Sequence, residues 1–176
     1  SIEFEGLFLE FSRDYNAFFI EFPRKITEGE LLKLKCNYSG TPQQAKNPPW
    51  DGGFSWEKDM NNNDWIGVSC QGLGASSWWP CKDHQSDEPD SMKITCTTNK
   101  SFPIISNGNL MYDSTFINND NQKSRVASWF VSYPINNYNV TLNIGDYINF
   151  RDKYISGPDT LDLDYYVLSY NKEKAE

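Results

Sequence analysis

Apolar and polar residues alternate with a period of two along several stretches of this chain. The apolar members are Leu32, Leu34, Cys36 and Tyr38, then Tyr138, Val140, Leu142 and Ile144, and then Leu161, Leu163, Tyr165 and Val167. Period-two alternation puts successive side chains on opposite faces, so each stretch is expected to form a strand with one buried face. No segment sustains the period of an amphipathic helix. The pattern predicts an all-β chain of antiparallel sheets.

Shorter segments add further strand candidates, and turn-rich segments separate them. The candidates are residues 4–11, 17–22, 65–70, 92–98 and 126–133, which are rich in aromatic and β-branched side chains. Residues 40–53, with Pro48 and Pro49, and residues 118–124 have the composition of loops.

Composition limits the functions that the chain can have. Its 176 residues suit one domain with a real core, and aromatic residues at 15%, six of them Trp, supply large side chains for that core. The formal charge of −8 argues against a nucleic-acid partner, because nucleic-acid binding needs a basic face. No apolar run reaches the roughly 18 residues of a membrane span, so no transmembrane segment is predicted.

The run from Ser69 to Pro89 has the most specialised composition in the chain. It combines the amide of Gln71, small residues that include Gly72 and Gly74, the adjacent Trp78 and Trp79, and then a Pro-Cys pair before an acidic turn. Small residues allow another group to approach the backbone closely, and tryptophans supply apolar area. We interpret this run as the wall of a binding site.

This run resembles a segment of the N-terminal domain of zinc aminopeptidases of the aminopeptidase N and leukotriene-hydrolase family. The family pattern is Gln-Ala, a few residues, and then Ala-Arg-x-x-Phe-Pro-Cys-x-Asp-Glu-Pro. Here its counterparts are Gln71, Ala75, Trp79-Pro80-Cys81, Asp83 and Glu88-Pro89. The chain departs from the pattern in three places: Ser76 replaces the Arg, Ser69 replaces an additional Gln, and residues 84–87 are inserted.

Other segments resemble the family in the same order along the chain. They are residues 29–40, which end in Tyr38-Ser39-Gly40, residues 105–110 with Ser106-Asn107-Gly108, and residues 134–147. Several short motifs in one order are harder to reach by chance than one motif. The family's Gly-x-Met-Glu-Asn and His-Glu-x-x-His motifs have no counterpart, and His84 is the single histidine.

The resemblance implies a fold and a domain organisation. It implies a saddle-like arrangement of antiparallel sheets, possibly without the family's first strands, over residues 1–170. Residues 171–176, rich in helix formers, would begin the linker or first helix of a catalytic domain. The segment alone is then not an enzyme. Its parent would be a bacterial zinc-dependent aminopeptidase of the gluzincin type. A periplasmic, exported or cell-envelope-associated location is slightly favoured over a cytoplasmic one.

The resemblance also implies what the segment does in that parent. It caps its own catalytic domain and lends a wall to the pocket for the first substrate residue. Gln71 is the candidate substrate-binding residue and would contact the peptide N-terminus; the alternative is a structural amide bonded to nearby backbone. No catalytic residue, metal ligand or cofactor is assigned to this chain, and zinc belongs to the catalytic domain.

Other residues of the run have structural interpretations. Trp78 and Trp79 are expected to pack in the core or between domains, and Asp83 to cap a turn. The acidic residues near His84 are interpreted as a solvated loop. The four cysteines are expected to be free thiols, with a Cys70–Cys81 disulfide as the less favoured alternative.

A second function from a different class also fits the composition. The chain would be a stand-alone β-sandwich module that binds carbohydrate or another ligand. Aromatic side chains would stack on sugar rings, the candidates being Trp50, Trp56, Trp65 and Trp129. Such a platform requires exposed aromatic faces, which a sequence does not show.

Overall fold

The computed structural model describes residues 1–176 and divides into two compact units, Ser1–Thr41 and Pro42–Glu176. Both units are built from β-strands, and every strand pair in them is antiparallel. The single α-helix, α1, spans Lys172–Ala175. The predicted all-β class of antiparallel sheets is confirmed. No helix of the structure is long and apolar enough to cross a membrane.

The first unit contains a three-stranded sheet and a separate hairpin. Its strands are β1 (Ile2–Phe4), β2 (Leu7–Leu9), β3 (Phe11–Asp14), β4 (Ala17–Ile20) and β5 (Leu34–Cys36). The sheet has the order β2-β1-β5, and β3 pairs with β4. Its core consists of Ile2, Phe4 and Leu9, with Phe22 edge-on to Phe4 at 5.3 Å between ring centroids.

The predicted burial in residues 32–38 is wrong. Leu34, Cys36 and Tyr38 are all exposed. Leu34 and Cys36 pair with Phe4 and Ile2, so register places them on the buried face of the sheet. However, β5 is an edge strand. The side chains that pack against this core are those of Ile20, Phe22, Ile26 and Leu32. A strand therefore forms at Leu34–Cys36 as predicted, but of the predicted apolar side chains only Leu32 packs against the core.

The second unit contains three sheets. Its strands are β6 (Gly53–Lys58), β7 (Asp64–Ser69), β8 (Met92–Thr98), β9 (Ile104–Ser106), β10 (Asn109–Ile117), β11 (Lys123–Val131), β12 (Leu142–Ile144), β13 (Tyr147–Ser156) and β14 (Asp159–Leu168). The sheet orders are β6-β7-β12-β9 and β10-β11-β8, and β13 and β14 form a two-stranded ribbon.

A cluster of buried side chains joins the two larger sheets of the second unit. Its members are Ile66, Ile104, Ala127, Trp129, Leu142 and Ile144. Trp129 lies at its centre: its Nε1 donates to Ile104 O at 3.0 Å, and its ring meets Tyr166 edge-on at 5.8 Å. This core holds β7 and β12, and β7 leads directly into the run that the sequence singled out.

The predicted strand at residues 138–144 is shorter in the structure. Residues Asn137–Asn139 form a 3-10 turn, and the strand comprises only Leu142–Ile144. The side chain of Asn136 accepts a hydrogen bond from Tyr138 N at 2.9 Å. This bond caps the 3-10 turn and so favours the turn over an extended strand at these residues. Tyr138 is consequently exposed, whereas Val140, Leu142 and Ile144 are buried as predicted.

The ribbon of β13 and β14 has two chemically different faces. One face carries the ion pairs Arg151–Asp164 and Lys153–Asp162. The other carries the apolar cross-strand pairs Ile148–Val167, Phe150–Tyr165 and Tyr154–Leu161, with Asp152 opposite Leu163 between the last two. Phe150 and Tyr165 stack at 4.9 Å between ring centroids, while Tyr154 and Leu161 are each about 60% exposed. We call this second face the apolar ribbon face.

Candidate functional site

A tight turn follows β7 and presents Gln71. Gly74 N donates to Cys70 O at 2.7 Å and closes the turn, in which Gly72 and Gly74 have φ angles of +77° and +80°. Cys70 is buried, and Gln71 is exposed. The Gln71 amide makes no hydrogen bond to the rest of the chain, so its donor and acceptor are both available to another molecule.

Asp83 fastens the next part of the run. Its carboxylate accepts hydrogen bonds from the backbone N–H of Ser76, at 2.9 Å, and from the Ser76 hydroxyl. Ser76 lies in a 3-10 turn, Ala75–Ser77, so the prediction that Asp83 caps a turn is confirmed. A Cβ at Gly74 would lie 2.4 Å from Asp83 Oδ1, which explains why the smallest residue is found there.

A loop beside this turn is anchored to it at several points. The Asp51 carboxylate accepts from the backbone N–H groups of Lys46 and Asn47, at 2.6 and 2.8 Å. The Asp51 carbonyl accepts from the Ser69 hydroxyl at the end of β7, at 2.7 Å. The side chain between these anchors, Trp50, is 64% exposed. Trp50 is thus held by a fixed backbone with its ring in solvent.

An open groove of about 540 Å³ lies between the loop and the turn. It is lined by Gln43, Gln44, Lys46, Trp50, Asp51, Gln71, Gly72 and Leu73. We call it the Gln71 groove. The structure therefore brings the predicted residue Gln71 together with side chains from residues 40–53, a segment that the sequence identified only as a loop.

The adjacent tryptophans of the run pack in the interior of the second unit. Trp78 contacts Phe54 edge-on at 6.0 Å and joins two buried clusters, and Trp79 packs on the second of them. Their indole N–H groups are buried without a hydrogen-bond partner. Their predicted packing against the core is confirmed.

The cysteines near the groove are free thiols with suppressed ionisation. Burial raises the pKa of Cys70. Burial, together with the charge of Asp83, raises the pKa of Cys81 to about 11. A thiol with a raised pKa carries little thiolate near neutral pH, so neither cysteine is suited to nucleophilic chemistry.

The structure brings together no group of three or more His, Cys, Asp and Glu side chains that could hold a metal ion. Two of the acidic side chains near His84 have local partners: Asp83 binds Ser76, and Asp87 pairs with Lys82 at 3.3 Å. His84 is exposed, and its Nδ1 lies 2.7 Å from the Ser86 hydroxyl. These residues do not fit a zinc site.

The four tryptophans proposed for sugar stacking lie in different environments. Trp129 is 4% exposed, and Trp65 is half-buried with its Nε1 donating to the Tyr147 hydroxyl at 2.7 Å. Trp56 is 50% exposed and stacks on Phe54 at 5.4 Å. Only Trp50 combines an exposed ring with a position in a groove.

Several solved structures share this fold. An M1 zinc metallopeptidase described as having two domains and bound to L-arginine matches with a TM-score of 0.72 and 18% identity. A Deinococcus radiodurans M1 zinc metallopeptidase bound to a Tyr-Ser-Ala substrate matches with a TM-score of 0.71 and 18% identity. In each case the match covers 94% of this chain and 36% of the other chain.

The comparison with sequences adds no further relative, since no protein-family model and no curated protein matches the chain. At 18% identity, likeness in structure establishes the fold, whereas function depends on the site. The chain spans about a third of the length of the metallopeptidases that it matches. It has the fold of the N-terminal domain of M1 zinc metallopeptidases.

Proposed function

We propose that this chain is the N-terminal domain of a zinc aminopeptidase, that it caps the catalytic domain of that enzyme, and that the Gln71 groove forms part of the substrate pocket. The observation that carries the proposal is the position of Gln71. In a domain with this fold, an amide without any partner in the chain projects at the rim of an open groove. Zinc and the groups that use it belong to residues outside this chain.

The chemistry of an amide suits the recognition of a peptide N-terminus. The carbonyl oxygen of Gln71 accepts a hydrogen bond from a substrate ammonium group, and its NH₂ donates to a peptide carbonyl. A neutral amide does this without a buried charge, which would carry a large desolvation penalty. Gln71 therefore binds and orients the substrate in this proposal and takes no part in proton transfer.

The apolar ribbon face supports the capping role. A two-stranded ribbon is only marginally stable alone in water, and this one exposes Tyr154 and Leu161 on one face. Exposed apolar side chains of this kind are commonly covered by a partner domain. We assign the catalytic domain as that partner.

We expect the isolated chain to hydrolyse no peptide, with or without added zinc. The reason is that its side chains assemble no metal site and no reactive thiolate. The measurement is release of chromophore from aminoacyl anilides by rigorously purified chain. Peptidase activity that copurifies with the chain through several chromatography columns would contradict the prediction.

The proposal is tested on the intact protein by the substitution Gln71→Ala. Loss of a hydrogen bond to a charged amine should cost about 1.5 to 3 kcal/mol, which lowers kcat/KM for aminoacyl anilides about tenfold or more. Because every substrate has the same amine, the loss should be similar for all first residues. The measurement is kcat/KM on a panel of anilides, with thermal unfolding as the check on folding.

Gln122→Ala is the matched control for that experiment. Gln122 is also an exposed glutamine in a turn, between β10 and β11, and it does not line the groove. Its substitution should leave kcat/KM unchanged. If Gln71→Ala also left kcat/KM unchanged in an active enzyme, Gln71 would be a structural residue and the proposed contact would be wrong.

A further inference from the structure

We infer that Trp50 selects the first side chain of the substrate, and that the Gln71 groove favours a large neutral side chain, aromatic or leucine-like. This inference rests on the proposed function, because it requires the groove to receive a peptide N-terminus. It goes beyond that function by naming the residue that discriminates between substrates and the class of substrate that it favours.

The first argument is the geometry of the groove. Gln71 and Leu73 belong to one turn, and Trp50 approaches that turn closely enough that a Cβ at Gly72 would lie 3.6 Å from Trp50 O. Trp50, Gln71 and Leu73 all line the groove, so an amine held by the Gln71 amide shares it with Trp50 and Leu73. Both are exposed, by 64% and 52%. A bound side chain would remove apolar surface of both residues from water.

The second argument is that the loop is held in place. Phe54 N donates to Gln43 O at 2.7 Å, and Ala45 N donates to Phe54 O at 2.9 Å, so the start of the loop is paired with β6. The Asp51 carboxylate and the Ser69 hydroxyl anchor its end. An exposed aromatic ring on a restrained backbone loses little entropy when it binds, which is a feature of binding sites.

The third argument is charge, and it disfavours cationic side chains. Asp51 is the acidic residue of the groove, and its two carboxylate oxygens already accept from the backbone N–H groups of Lys46 and Asn47. The Lys46 ammonium, also at the groove, makes no salt bridge and would repel a cationic side chain. The remaining lining consists of amides and apolar surface. Such a groove favours a side chain with a large apolar area over a cationic one.

The test measures the substrate selectivity of the intact protein. Anilides of phenylalanine, leucine, alanine and arginine are compared for the native protein, Trp50→Ala and Trp50→Phe. The native protein should prefer phenylalanyl and leucyl substrates over the other two. Trp50→Ala should lower kcat/KM about tenfold for phenylalanyl and leucyl substrates while alanyl and arginyl substrates change little, because lost hydrophobic contact affects only side chains that made it. Trp50→Phe should retain most of the preference.

Trp56→Ala is the matched control, since Trp56 is a half-exposed tryptophan that does not line the groove. Unchanged selectivity in this variant, with the selective loss in Trp50→Ala, supports the inference. Equal losses on all four substrates, no loss, or a native preference for arginine or alanine would overturn it while the proposed function stands. Absence of hydrolysis of every anilide by the intact native protein would overturn the proposed function, and this inference with it.

Discussion

Replacement of Gly108 by alanine is expected to destabilise the second unit by about 3 to 5 kcal/mol. Gly108 lies in the turn between β9 and β10 with a φ angle of +82°, where a side chain is strained. A Cβ there would lie 2.2 Å from Phe130 O and 2.8 Å from Val131 N, both backbone atoms of β11. Backbone of a central strand cannot move aside as a flexible side chain can, so the sheet must distort.

Gly157→Ala is the matched control for Gly108→Ala. Gly157 lies in the turn of the β13–β14 ribbon with a φ angle of +59°, and a Cβ there would meet no atom within 4 Å. Its substitution should cost only the conformational strain, about 1 kcal/mol. The free energy of unfolding in urea measures both variants. Equal destabilisation by the two substitutions would show that the contact with β11 contributes nothing.

Trp129→Ala should cost about 3 to 5 kcal/mol of unfolding free energy. The indole lies at the centre of the core of the second unit and is 4% exposed, so its removal leaves a cavity between the two sheets. The substitution also leaves Ile104 O without the donor that it has at 3.0 Å, and it removes the edge-on contact with Tyr166. An unpaired buried carbonyl adds to the cost of the cavity.

Trp56→Ala removes the same amount of side chain from a half-exposed site, and it should cost well under the value for Trp129→Ala. The measurement is again the free energy of unfolding in urea. Thermal unfolding should rank the two variants in the same order. A Trp129→Ala variant as stable as native protein would mean that the core of the second unit does not depend on this indole.

The resemblance motif at residues 105–110 shows how sequence and structure complement each other. Asn107 Oδ1 accepts from Thr141 N at 2.7 Å, and Asn107 Nδ2 donates to Asn139 O at 3.0 Å, while Gly108 fits against β11. Asn107 therefore ties this turn to the segment before β12, and Gly108 allows the turn to approach the backbone of β11. The amino-acid sequence is sufficient to identify the motif. The contacts that these residues make are seen only in the folded chain.

Strands β6, β9 and β10 are among those that the sequence analysis did not predict, and the reasons are identifiable. β6 contains two charged residues at its end, β9 has only three residues, and β10 carries Asn and Asp among its apolar residues. The 9-residue β10 is an edge strand that is exposed almost throughout, so its sequence has no buried face to impose alternation. Pairing with β11, rather than any local preference, makes it a strand.

The sequence alone determined the all-β class, several strands and the absence of a His-Glu zinc motif, because period-two patterns and short motifs are local properties of the chain. Tertiary structure decided which of the alternating apolar side chains are buried, since burial depends on what packs against a strand. It also decided that Trp50 meets Gln71, because residues distant along the chain become neighbours only through strand pairing, here of β6 with β7. Local sequence patterns carry no information about contacts between residues that are distant along the chain. The Gln71 groove is therefore a property of the fold.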